Sequence, residues 1–232
     1  MDNEELKALF DQQAAGYDQQ WAGMAPLRET LYCLLGALFV GLPRDARILC
    51  VGVGTGAEIG YLAQRFPGWR FTAVDPSGAM LDVCRERAAR GGFAERCEFH
   101  EGYLETLDSA ARHDAGTCFL VSQFFVDARL RTAFFGEIAR RLKPGGLLAS
   151  ADLAGDTTAP AYETLLHSWM TLMSAAGVQP DMLERARAAY ARDVAILPAA
   201  RVGEIIEAAG FERSLVFFQA GLMQGWVSRV PG

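Results

Sequence analysis

Residues 48 to 56 read Ile48-Leu49-Cys50-Val51-Gly52-Val53-Gly54-Thr55-Gly56, an apolar run that stops at three glycines on alternate positions. Such a run reads as a buried strand, and glycines at its end let the chain turn sharply where any Cβ would clash. Glu58 to Phe66 then has helical periodicity, ended by Pro67-Gly68. Strand, glycine turn and helix open an α/β fold, with a backbone that comes close to a ligand at the turn.

The unit repeats. Arg70 to Val74 alternates as a strand and ends at Asp75-Pro76-Ser77, where Ser77 can cap a helix running through Met80, Leu81 and Cys84 to about Arg90. Arg96 to Glu101 reads as a third strand, followed by a loop, and Ala115 to Val121 as a fourth. A helix from Asp127 to Leu142 stops at Lys143-Pro144-Gly145-Gly146, and Leu147 to Leu153 is the fifth strand. This alternation predicts a doubly wound, mostly parallel sheet with right-handed crossovers.

Three segments surround that core of residues 46–153. Residues 1–45 form a helical prelude, and 154–200 an insertion without strands, with helical stretches near Ala159 to Ala176 and Asp181 to Ala195. Residues 201–232 hold a helix from Val202 to Ala209 and two β-rich runs, Glu212 to Gln219 and Leu222 to Val230, close enough to pair antiparallel. At 232 residues, one domain accommodates all of it.

Composition narrows the partners. The net charge is −6, and the basic residues, 20 Arg with Lys7 and Lys143, are interleaved with acids and Ala instead of forming a patch for a phosphate backbone. Nucleic acid is therefore not an expected substrate. The five cysteines (Cys33, Cys50, Cys84, Cys97, Cys118) lie far apart without a C-x-x-C pair, so neither a disulfide framework nor a zinc site follows. The charged N-terminus lacks a signal-peptide layout, and the longest apolar run, Leu31 to Leu42, is well short of the roughly 20 residues that span a bilayer. The cytoplasm is the expected compartment. The residues do not fix the oligomeric state, and a homodimer stays open.

Asp75, 23 residues after Gly52 and at the end of the second strand, is placed to accept hydrogen bonds from a ribose diol. Turn and acid together point to a nucleoside-containing cofactor. Gly52-x-Gly54-x-x-Ala57 also satisfies the relaxed dinucleotide fingerprint, which leaves an NAD(P)-dependent oxidoreductase open, although no Tyr-x-x-x-Lys or similar hydride-transfer constellation accompanies it.

With G-x-G-x-G, Val74-Asp75-Pro76-Ser77, Leu142-Lys143-Pro144-Gly145-Gly146 and the final strand pair, the chain resembles the class I S-adenosylmethionine (SAM)-dependent methyltransferases over about residues 8 to 230. The prelude Phe10-Asp11-x-x-Ala14-x-x-Tyr17-Asp18 is similar to the helical lid of many small-molecule members. The resemblance implies a Rossmann-like, seven-stranded sheet with an antiparallel C-terminal pair. It implies SAM as cofactor and S-adenosyl-L-homocysteine as product, with Gly52, Val53, Gly54 and Gly56 at the methionyl part and Asp75 on the ribose. Pro76 and Met80 would flank the adenine, Gly102 and Tyr103 would meet its amino group, and Tyr17 would reach the cofactor carboxylate. Val121 and Ser122 would line the cofactor, with Gln123 and Phe124 facing the substrate. Two departures stand out: Cys50 replaces the usual acid two residues before the first glycine, and Tyr103 replaces the usual Asp after Gly102.

Methyl transfer from a sulfonium is an in-line displacement, so the protein must align the reactants and exclude water. Oxygen and some nitrogen nucleophiles also need a proton removed, and His167 in the insertion and Asp152 at the end of the fifth strand are the candidate bases. His100 reads as a strand-surface residue and His113 as a loop residue. The insertion, with Tyr162, Trp169, Met170, Met173, Met182 and Tyr190, can wall an apolar pocket for an aromatic or hydrophobic small molecule. The competing readings are a carboxy-SAM or transfer-RNA wobble-uridine enzyme, which resembles this lid and core, and a SAM-binding module without catalysis.

Overall fold

A computed structural model of the chain describes residues 2–107 and 112–232. The loop expected after the third strand lies partly outside them. Strand β1 (Arg47–Val51) sends alternate side chains to opposite faces. Ile48 and Cys50 join Leu35, Phe39, Leu62 and Leu81 in one core, while Leu49 and Val51 join Phe135, Ile138, Val202 and Ile206 in another. A strand covered on both faces has no solvated side, which is why Ile48 to Val51 are all apolar.

The remaining strands are β2 (Arg70–Asp75), β3 (Cys97–Glu101), β4 (His113–Phe119), β5 (Leu142–Leu153), β6 (Leu215–Ala220) and β7 (Met223–Arg229). They form one seven-stranded sheet in the order β3-β2-β1-β4-β5-β7-β6, with β7 antiparallel to both neighbours and every other pairing parallel. Helices α1 (Asn3–Gln13), α2 (Tyr17–Gln20) and α3 (Ala25–Leu38) make up the prelude. Helices α4 (Ala57–Arg65) and α5 (Gly78–Arg90) pack on the first core, and α6 (Ala128–Arg141) on the second. The insertion holds α7 (Pro160–Ala175) and α8 (Pro180–Arg192), and α9 (Ala199–Ala208) precedes the strand pair. Among the described residues no helix is long and apolar enough to cross a membrane.

Several strand boundaries differ from the expectation: β4 ends at Phe119 and not at Val121, β6 starts at Leu215 and not at Glu212, and β4 and β5 start earlier than expected. β4 starts at His113, which is fully buried in the sheet instead of lying in a loop: its ring nitrogens pair with the Arg141 carbonyl at 3.0 Å and the Thr72 hydroxyl at 3.0 Å. Those partners come from distant segments, so no local pattern announces the strand. Burial also lowers the imidazole pKa. β5 starts at Leu142 and not at Leu147: Leu142 pairs with His113, the register slips, and pairing resumes at Leu147 with Ala115. Lys143 to Gly146 form the slack, with Gly145 at φ +74°.

A third apolar cluster lies beside the sheet, where Leu31 and Tyr32 of α3 meet Ala151 and Leu153 of β5, Phe218 and Met223 of the strand pair, and Leu166, Trp169 and Met173 of α7. Trp21, Phe119, Phe124 and Tyr162 pack around it.

Candidate active site

The glycine turn is held from below by β2, because Gly52 and Val53 both donate their amides to the Val74 carbonyl, at 2.8 and 3.1 Å. Gly52, Gly54 and Gly56 have φ of +64°, +53° and +74°, a region that L side chains rarely occupy. Packing excludes a side chain at two of them: a Cβ on Gly52 would sit 2.2 Å from Val121 Cγ2, and one on Gly56 would sit 2.3 Å from Cys84 Sγ. Gly54 differs, since a Cβ there meets no atom within 4 Å. The turn therefore exposes backbone at Gly54, beside the first turn of α4 and its positive dipole end.

Asp75 is tied to that same residue. Its Oδ2 accepts from the Gly54 amide at 2.8 Å and its Oδ1 from the Ser77 amide at 2.9 Å, leaving lone pairs on both oxygens. The carboxyl is 7% exposed, and burial raises its pKa. Ser77 caps α5 by accepting from the Met80 amide at 3.1 Å. Met80 is buried and Pro76 half-buried on the same segment.

The prelude closes over this rim through acids to which the sequence reading assigned no role. Asp11 accepts from the Ser77 hydroxyl at 2.6 Å and from Lys7 at 2.8 Å, and these bonds, Lys7 first, hold its carboxyl below the usual range. Asp18 accepts from the Thr55 hydroxyl at 2.8 Å and pairs with Arg87, whose Nε donates to the Thr55 carbonyl at 2.8 Å. The Tyr103 hydroxyl donates to the Asn3 carbonyl at 3.1 Å, so this departure from the family pattern fastens α1 next to Gly102. Tyr17, half-buried, packs its ring against Phe10 and Trp21, and burial raises its pKa.

On the β4 side, Leu120 turns the chain at φ +60°, a value that among the described residues no other non-glycine side chain shares as a positive φ. Val121 lies against Gly52. Ser122 and Gln123 are buried and engaged inward. The Ser122 hydroxyl donates to Asp152 at 2.5 Å, the Gln123 amide donates to Asp152 at 3.0 Å, and the Gln123 side-chain oxygen accepts from the Leu153 amide at 2.8 Å. Phe124 meets Phe10 of the lid edge-on at 6.0 Å. Trp169 is buried in the third cluster and donates its indole N–H to the Tyr190 hydroxyl at 3.2 Å.

The two candidate bases are not brought together at the turn. Asp152 is fully buried, and besides Ser122 and Gln123 it pairs with Arg131 at 3.0 Å. Arg131 is equally buried and also donates to Ser122 and, at 3.2 Å, to the Ala195 carbonyl of the insertion. His167 is exposed on α7, where it lines an open groove of about 420 Å³ with Met170, Thr171, Ser174, Ala175 and Leu183. Glu58 and Arg131 escaped the sequence reading because each is a charged residue on an amphipathic helix, a pattern that ordinarily marks the solvated face.

Residues 48–146 match the family described as Methyltransferase domain. Among curated relatives, the malonyl-[acyl-carrier protein] O-methyltransferase of Geobacter sulfurreducens is 30% identical over 179 residues, 72% of this chain and 61% of that protein. The erythromycin 3''-O-methyltransferase of Saccharopolyspora erythraea is 32% identical over 114 residues, 49% of this chain and 36% of that protein. The chain spans 30 to 61% of the length of the first curated relatives it matches. Among solved structures, the N-methyltransferase NodS of Bradyrhizobium japonicum WM9, in complex with S-adenosyl-L-homocysteine, is similar in fold, with a TM-score of 0.60 and 15% identity over 88% of this chain and 87% of that one. An antiparallel β7 between β5 and β6 also departs from the 3-2-1-4-5-6 order of dinucleotide-binding sheets. By family match, residues 48–146 form a methyltransferase domain, and the strand order is that of the Rossmann-like methyltransferase fold.

Proposed function

We propose that this protein moves a methyl group from SAM to an oxygen, nitrogen or carbon nucleophile of a small apolar or aromatic molecule. The observation that carries this reading is the exposed backbone at Gly54 beside the buried Asp75 carboxyl. It lies at the rim where β1 passes to α4 on one face and β4 to α6 on the other, the switch point at which open α/β sheets bind ligands. The residues present fit the cofactor: Gly54 leaves open room for it, and Asp75 keeps lone pairs for ribose hydroxyls.

When bound, SAM supplies an electrophilic methyl group, so the chain's own tasks are binding, alignment and exclusion of water. Gly52, Val53, Gly54 and Gly56 would present the turn to the methionyl part, with Tyr17 closing from the lid. Pro76, Met80, Gly102 and Tyr103 would border the adenine, and Val121 and Ser122 would complete the wall. The Asp11 and Asp18 contacts draw the lid down and keep water out. On the substrate side Phe124 and Trp169 contribute aromatic surface to the third cluster, and Gln123 holds the ends of β4 and β5 together. That lining of Trp21, Tyr32, Phe119 and Phe124 is the reason for an apolar or aromatic substrate. Asp152 would hold the 122–124 segment in place through its own hydrogen bonds, and His167 would take a proton only if the substrate extends toward α8.

Calorimetric titration with S-adenosyl-L-homocysteine tests the cofactor assignment: saturable binding is expected, weakened at least tenfold in Asp75→Ala. Transfer of a labelled methyl group from SAM to acceptors in a metabolite extract tests the activity. A folded protein without binding in the first experiment overturns the reading.

A further inference from the structure

Glu58 is a buried carboxyl that none of the roles above uses. It is the second residue of α4, two positions past Gly56, and is 6% exposed. Its side chain turns onto the sheet, where the Thr117 hydroxyl of β4 donates to Oε1 at 2.5 Å and the Cys50 thiol of β1 donates to the same carboxyl. Cys50 and Thr117 are register partners, so the carboxyl lies across the seam between β1 and β4. Two residues separate that level from Gly52, about 7 Å at a rise of ~3.3 Å per residue.

The groups that face it are Tyr32 from α3, Cys50 from β1, Cys118 from β4 and Cys84 from α5, all of them neutral at pH 7 because burial raises their pKa values. The guanidinium of Arg87 on α5 is already engaged by Asp18 and the Thr55 carbonyl. Among the described residues no Lys, Arg or His forms an ion pair with Glu58. Burial pushes its pKa up to about 7, against the pull of the Thr117 and Cys50 hydrogen bonds. A buried carboxyl of this kind is at rest when protonated, and it ionises when a cation arrives within its low-dielectric surroundings. SAM brings a sulfonium and an ammonium group.

We propose that Glu58 is the counter-charge of the bound cofactor: seated beneath the glycine turn, it answers the cationic methionyl part of SAM and stands in for the acid absent at Cys50. This inference rests on the methyltransferase reading. As the cofactor seats, the Glu58 O–H bond breaks and its proton passes to solvent, leaving the carboxylate beside the new positive charge, with no other bond changed. Bound cation lowers the Glu58 pKa, so binding releases a proton near pH 7 and tightens as pH rises through 7.

The test is calorimetric titration of the full chain with SAM from pH 6 to pH 8, in phosphate and in Tris, whose ionisation enthalpies differ. The readout is the difference between wild type and Glu58→Gln, in which the contribution of SAM's own amino group cancels. The expected result is about half a proton more released per SAM in wild type at pH 7, with a wild-type affinity that gains about tenfold over the variant's between pH 6 and pH 8. Equal proton release in the two proteins overturns the proposal and leaves the cofactor assignment intact. A folded wild type that binds SAM at no pH overturns both. If Glu58→Gln does not fold, Thr117→Val serves instead: loss of the hydroxyl donor moves the proton-release midpoint up in pH, and an unmoved midpoint overturns the proposal.

Discussion

The glycine rim and the helical cap follow different rules. At the rim each identity answers a backbone demand: Gly52 and Gly56 combine positive φ with neighbours that leave no room for a Cβ, and Asp75 accepts from two specific amides. Along the cap helices burial is the main selector. Helix α7 buries Leu166, Trp169 and Met173 on one stripe, whereas α8 buries no residue and borders an open groove. Many apolar side chains satisfy a stripe, and few residues satisfy a strained turn. On the proposed reading the cofactor half is therefore narrowly specified, while the cap, proposed as the substrate half, is free to be redrawn for another acceptor, which is how one fold serves many substrates.

The joint between the regions is the sharpest place to break this contrast. Arg131 binds Ser122 and Asp152 at the rim and the Ala195 carbonyl at the end of the cap. Arg131→Ala leaves Asp152 buried without its cationic partner and is expected to lower stability by about 3–5 kcal/mol, read from urea unfolding. A loss below about 1 kcal/mol would mean that the cap is not anchored there.

Within the rim, the glycines themselves divide. Gly52→Ala forces a Cβ into Val121 at a left-handed φ and is expected to cost about 2–4 kcal/mol. Gly54→Ala meets no neighbour and is expected to cost about 1–2 kcal/mol for its φ alone. Yet Gly54→Ala stands where the proposed cofactor site lies, so its affinity for S-adenosyl-L-homocysteine should fall at least tenfold. Melting curves and titrations on the two variants separate a glycine required by packing from one required by the ligand.

The same contrast explains what was legible in the sequence. The turn, Asp75 and the Ser77 cap announce themselves because their causes lie within a few residues. The antiparallel pair was legible from two β-rich runs with a two-residue break. His113 was not, since its buried place depends on Thr72 and Arg141, which lie 41 and 28 residues away. Glu58 and Arg131 looked like solvated helix positions, and their burial is set by Thr117 and by Ser122 with Asp152 on other elements. Asp11 and Asp18 stand in the Phe10-to-Asp18 lid motif, but only the folded chain gives them Ser77, Thr55 and Arg87 as partners.

Glu58 also gives the rim a pH signature near neutrality. Its folded pKa, about 7, lies above the unfolded value of 4.5, so the native state holds the proton more tightly. Stability from this group is present below pH 4.5 and is lost as pH rises to about 7. Glu58→Gln, which cannot ionise, is expected to be more stable than wild type above pH 7 by roughly 2–3 kcal/mol, with the advantage disappearing below pH 5. Urea titrations at pH 4.5 and pH 8 check the sign, and an advantage that is the same at both would remove Glu58 as the titrating group.

The smallest expected effect belongs to the cap's outer face. His167 is exposed on α7, in the groove it shares with Met170 and Leu183. Replacing an exposed side chain away from caps and buried pairs changes stability by no more than about 0.5 kcal/mol, so His167→Ala should melt with the wild type. If the acceptor binds in the third cluster, methyl transfer also continues at nearly the wild-type rate, because a base must come within hydrogen-bond reach of the proton it takes. A fall in turnover of about 100-fold with unchanged stability would instead place the acceptor against α8. The open groove would then be the substrate site, and the aromatic cluster the floor beneath it.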